Sequence, residues 1–108
     1  VLERKVLPDN LQLKIINMVC WQMQISEYDI LSKSRSTPLP DARSIAMTLI
    51  YKYADVYKSD IAKTFGKDHS TVIFALNKCQ DLLDTDKKFK ENYLAIEKRV
   101  QNFLLKIK

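Results

Sequence analysis

A single glycine, Gly66, constrains the fold more than any other residue. With that one glycine and three prolines in 108 residues, the chain has little material for tight β-turns and reads as all-α. On either side of Gly66 the apolar residues recur at helical spacing. Ile61, Ala62 and Phe65 precede it, with Ser59 as the expected N-cap. Val72, Ala75, Leu76 and Cys79 follow it, with Asp68 placed to cap their helix. Gly66 stands where a helix ends in a left-handed turn that glycine adopts without penalty. Two short helices joined at such a turn form a helix-turn-helix pattern.

The second of these helices starts with Lys67, Asp68, His69, Ser70 and Thr71, all polar. In a helix-turn-helix the first residues of the second helix reach base edges in the major groove. Asp68 can accept from a cytosine amino group, and the Thr71 methyl can pack on a thymine methyl. The Ser70 hydroxyl and the His69 ring can each donate or accept. Lys67 and the helix N-terminus favour a phosphate. The plainer explanation, a polar cap on a surface helix, fits the composition equally well.

The rest of the chain supplies helices and one loop. Residues 1–7 form a basic lead-in, and residues 8–108 form one domain with a modest core. Pro8-Asp9 starts the first helix, with Asp9 as N-cap; Leu11, Ile15, Met18, Val19 and Gln22 trace its inner face to about Met23. Ile16 and Trp21 lie beside that face, and Trp21 is expected in the core. Ser26 caps a short second helix. Residues 32–40, Ser-Lys-Ser-Arg-Ser-Thr-Pro-Leu-Pro, form a loop in which Lys33 and Arg35 put charge on a mobile arm. A third helix opens at Pro40 or Asp41 and runs from Ala42 to about Ala54, burying Ile45, Ala46, Leu49, Ile50 and Tyr53. After Lys78 the helix continues through Leu83, and Thr85 or Asp86 caps the last one. There Phe89, Tyr93, Ile96, Val100, Phe103 and Ile107 are spaced for a helix laid across the core, with a coiled-coil seam as the rival.

Several classes are set aside. Eighteen basic against thirteen acidic residues give a net charge of +5, which favours a polyanionic partner. No G-x-x-x-x-G-K loop is present, no metal-ligand cluster surrounds the single histidine, and no nucleophile has a credible base. An enzyme, a metal and a cofactor are therefore not expected. Cys20 and Cys79 read as buried reduced thiols, as in a cytoplasmic protein. No apolar run is long enough to span a membrane, and no signal-peptide pattern opens the chain. Val1 in place of methionine leaves a complete protein and a fragment both open.

The segment Ile61-Ala62, Phe65, Gly66-Lys67, Asp68-His69-Ser70-Thr71-Val72, Ile73, Ala75 and Lys78 closely resembles the C-terminal helix-turn-helix domain of the bacterial replication initiator DnaA family. Ala42-Arg43-x-Ile45-Ala46-Met47 resembles another of its segments, and the likeness runs from about Pro8 to Leu104. The chain departs from the family in three places. Lys58-Ser59 stands where relatives often have Leu-Pro, and the Gly66-Lys67 turn is one residue shorter than in many. Thr37 and Asp41 fall where many relatives carry further basic residues, which implies a thinner basic arm.

The resemblance implies site-specific binding of double-stranded DNA, of DnaA-box type, at a replication origin or in its regulation. Asp68, His69, Ser70 and Thr71 would read bases, and Lys67, Arg43, Lys58, Ser59 and Lys78 would hold phosphates. Lys33 and Arg35 would work the adjacent minor groove, where arginine is favoured in narrow A·T-rich segments. It further implies a cytoplasmic, nucleoid-associated protein binding DNA as a monomer, tethered in longer initiators to an ATPase module. The competing class is a helical protein-interaction module, or a regulator or mobile-element protein using the same motif at another DNA site.

Overall fold

The computed structural model describes residues 10–106. They form six helices: α1 (Leu11–Met23), α2 (Glu27–Leu31), α3 (Leu39–Tyr53), α4 (Lys58–Phe65), α5 (His69–Thr85) and α6 (Lys87–Lys106). Among the described residues there is no strand, and no helix is long and apolar enough to cross a membrane.

The fold is built on α3, which packs against all five other helices. Its sequence explains this position. Six consecutive residues, Ala42 to Met47, are buried, so this part of the helix is packed on nearly every side. A helix enclosed in this way needs small residues as well as large ones, and Ala42, Ser44 and Ala46 let its neighbours approach. Ile15, Ile16 and Val19 of α1, Ile61 of α4, Val72 and Cys79 of α5, and Ile96 and Val100 of α6 complete one continuous core.

Local signals set most of the helix ends. Ser26 Oγ accepts from the Asp29 N–H at 3.0 Å and caps α2 as expected. Asp86 Oδ1 accepts from the Phe89 N–H at 3.0 Å and starts α6. Pro40 sits in the first turn of α3, where its missing N–H costs nothing, so the helix begins at Leu39, slightly before the expected boundary. Ser59 is not a cap. Helix α4 starts one residue before it, because the Asp60 carboxylate reaches back to the Tyr57 N–H at 3.0 Å and makes Tyr57 the boundary. The expected cap at Asp9 lies outside the described residues; α1 is preceded by Asn10 in a left-handed conformation (φ 59°).

Trp21 is not in the core. It is 65% exposed, because α1 turns Ile16 and Cys20 inward and leaves Trp21 off that arc. Its ring is instead covered by the Arg99 guanidinium, 3.9 Å from the ring centroid. The spaced apolar residues of α6 are used within the chain: Phe89, Tyr93, Ile96 and Val100 are buried, and the helix packs on α1, α3 and α5. A polar network fastens its outer side. Lys52 Nζ and the Tyr53 hydroxyl both donate to Glu97 Oε2, at 2.6 and 2.8 Å, and Gln101 Nε2 donates to the Tyr53 oxygen at 2.9 Å.

Both cysteines are buried and unbonded. Burial pushes the Cys20 thiol from 9.0 to about 11 and the Tyr93 phenol from 10.0 to about 12. Both groups must stay neutral in the fold, and both pKa values are raised. Their stabilisation is therefore complete below pH 9 and is lost as pH climbs towards 12. Each tenfold weakening of an acid by the fold corresponds to about 1.4 kcal/mol. Thermal melts across pH 7 to 12 should show a plateau and then a steady fall. Tyr93→Phe should flatten the upper part of that fall.

Candidate nucleic-acid interface

Helix α4 ends as its sequence demands. Gly66 takes φ 63° and ψ 39°; its N–H donates to the Lys63 carbonyl at 3.2 Å, and the Lys67 N–H donates to the Ala62 carbonyl at 2.9 Å. This pair of bonds satisfies carbonyls that the helix end would otherwise leave open. A side chain at Gly66 would meet nothing within 4 Å, so its backbone conformation, and not crowding, is what calls for glycine. Phe65, 3% exposed, and Val72, fully buried, hold the two helices against the core across the turn.

Asp68 occupies the N-cap position of α5 in extended geometry, and its carbonyl accepts from the Thr71 N–H at 3.0 Å. Its carboxylate makes no capping bond, contrary to expectation, and the residue is exposed. His69, Ser70 and Thr71 are exposed beside it. Four polar side chains thus project from the first turn of a helix whose opposite face, Val72, Ala75 and Cys79, is buried.

The loop of residues 32–38 is held more firmly than its composition implies. Ser32 Oγ donates to the Asp29 carbonyl at 2.6 Å and accepts from the Ser34 N–H at 3.2 Å, and Ser34 Oγ accepts from the Ser36 N–H at 3.2 Å. Arg43 does the larger part. Only 8% exposed, it donates from Nε to the Ile30 carbonyl at 2.7 Å and from Nη1 to the Ser34 carbonyl at 2.6 Å. Its Nη2 donates to the Asp29 and Ser32 carbonyls at 3.1 and 2.8 Å. Four of the five N–H donors of a guanidinium are therefore turned inward. Burial lowers its pKa, but an arginine starts so high that it stays charged. The backbone of the arm carrying Lys33 and Arg35 is thus hydrogen-bonded to α3 through Arg43.

Loop and helix enclose a groove of about 530 Å³. Lys33 and Arg35 line one side; Lys67, Ser70, Thr71 and Lys78 line the other. Arg43 contributes to its lining, and no carboxylate does. Two stretches far apart in sequence, 33–35 and 67–78, are brought into one positive cleft. Asp68 and His69 are not part of the lining; they stand at the exposed start of α5, immediately beyond it. Lys58 and Ser59 lie at the start of α4 and do not reach the groove, and Lys58 Nζ rests over the Tyr51 ring at 5.2 Å. Five lining residues, Pro40, Ser44, Met47, Phe74 and Ala75, were not expected at the site from the sequence, and Phe74 stands out among them. Phe74 is 68% exposed in the groove, and the available signal was its spacing: it lies off the apolar arc of α5, in line with Ser70 and Thr71.

The glycine turn, the polar first turn of α5 and the flanking basic loop define a helix-turn-helix domain. The family described as bacterial dnaA protein helix-turn-helix matches residues 13–79, from α1 through most of α5. The chromosomal replication initiator protein DnaA of Bdellovibrio bacteriovorus is 34% identical over 90 residues, covering 82% of this chain and 19% of that protein. The DnaA protein of Aliarcobacter butzleri is 37% identical over 89 residues, or 82% of this chain and 19% of its own length. That of Bacteroides thetaiotaomicron is 37% identical over 84 residues, covering 77% and 18%. The chain belongs to the bacterial DnaA helix-turn-helix family, and it spans about a fifth of the length of these relatives.

Proposed function

We propose that this domain binds a specific double-stranded DNA site of DnaA-box type and so acts in replication initiation or its regulation. One observation carries the reading: a carboxylate-free groove that joins Lys33 and Arg35 to Lys67, Ser70, Thr71 and Lys78. An α-helix fits the B-DNA major groove, roughly 12 Å wide. With α5 seated there, Asp68, His69, Ser70 and Thr71 face base edges. Lys67 and Lys78 take phosphates, and the loop presents Lys33 and Arg35 to the neighbouring minor groove. Lys58 and Ser59 offer a separate phosphate contact from the start of α4. Arg43 acts as a positioning residue, since its donors are committed to carbonyls. The domain itself carries no catalysis, works in the cytoplasm on the nucleoid and binds each site as a monomer. The relatives named above are initiators of much greater length, and an ATPase module tethered to this domain belongs to the same reading.

Fluorescence anisotropy with a DnaA-box duplex and a scrambled duplex tests it. Clear preference for the box is expected, with affinity falling steeply as salt rises. Lys58, Lys67 and Lys78 neutralising one phosphate each give a log–log salt slope of roughly −3. Equal weak binding to both duplexes would overturn the site specificity, and no binding at low salt would overturn DNA recognition altogether.

A further inference from the structure

Phe74 is the most exposed of the exposed large side chains that carry no polar atom. Leaving such a ring in water is unfavourable, and here it lies in the groove, one helical turn beyond Ser70. Trp21, of similar exposure, is covered by a guanidinium; among the described residues no cation stacks on Phe74, although Lys67 and Lys78 line the same cleft. The register of α5 places Phe74 four residues from Ser70 and three from Thr71, on one face, about 6 Å further along the helix. Lys78 lies on that same face, four residues after the ring, and Lys67, in the turn just before α5, lines the same cleft. If those two cations take phosphates, the ring between them faces the floor of the groove. A phenyl ring offers nothing to a phosphate. The apolar group that the major-groove floor displays is the thymine methyl.

We propose that Phe74 is a specificity-determining residue that reads a thymine methyl group in the bound site. This rests on the DNA-binding reading above and extends base recognition one turn past the polar cluster. The substitution Phe74→Ala removes a ring that is mostly outside the core and introduces a better helix former, so the fold is retained.

The test is a series of DnaA-box duplexes in which each thymine is replaced in turn by deoxyuridine, which lacks only the methyl. Each is titrated against the unaltered protein, Phe74→Ala and Thr71→Ser. The unaltered protein should lose about fourfold in affinity at one or two positions, the worth of one buried methyl. At one of those positions Phe74→Ala should show no further loss, while Thr71→Ser keeps the full loss. Phe74→Ala should also leave binding to a scrambled duplex unchanged. Indifference to every replacement, or losses that survive intact in Phe74→Ala, would overturn the role of Phe74 while leaving DNA binding in place. Failure of the unaltered protein to bind the parent duplex would overturn both readings together.

Discussion

Arg43→Met lowers the unfolding free energy by about 1.5–3 kcal/mol, as expected when a guanidinium that makes one buried and three part-buried hydrogen bonds to carbonyls is removed. Methionine fills the volume but strands the carbonyls of Asp29, Ile30, Ser32 and Ser34, which the guanidinium now serves. A small domain has only about 5–15 kcal/mol in hand, so the loss is readily seen in urea denaturation. Lysine is no substitute, because a compact ammonium cannot span four carbonyls that a planar fork reaches. Arg43→Lys should recover only a minor part of the stability. DNA binding separates positioning from direct contact. If Arg43 acts by holding the arm, its replacement costs much affinity in the parent chain and little once Lys33 and Arg35 are already alanine. Additive losses in that cycle would instead put Arg43 itself on a phosphate.

His69→Ala should cost about 1–3 kcal/mol on the preferred duplex and flatten discrimination against base changes beneath it. The ring is exposed at the start of α5 and takes no part in the core, so thermal stability should hardly move. Lys67→Ala makes the contrast. It should weaken all sequences by a similar factor and reduce the salt slope by about one unit, the signature of a phosphate contact. Parallel losses on specific and scrambled DNA for both variants would mean that the roles are wrongly divided.

Short-range chemistry made the motif legible. Gly66 needs only the conformation that its own residue type supplies, and Ser26 and Asp86 cap helices that start beside them. Ser59 misled because the cap is decided by competition, and Asp60 reaching back to Tyr57 wins by placing the boundary earlier. Arg43 was unreadable for a different reason. Its partners are 9 to 14 residues away, and they are backbone carbonyls, which leave no trace in side-chain identity. An arginine near a helix start looks like a surface residue until tertiary packing encloses it. Trp21 shows the converse, since its size argued for burial while the neighbouring Cys20 took the inward position. Phe74 could be read only after the buried arc of α5 was fixed, because exposure is a property of the whole domain.

Helix α3 bears on both sides of the cleft: its Arg43 anchors the loop, and α5 packs directly against it. The span between the two sets of cations is thereby set before any ligand arrives. On the proposed reading the domain works as a fixed gauge laid across the double helix. It pays little ordering entropy on association, because the arm that would otherwise have to be frozen is already in place. Such a gauge tests the twist of its target as well as its letters: a duplex over- or underwound between the two contacts presents the right bases at the wrong phase.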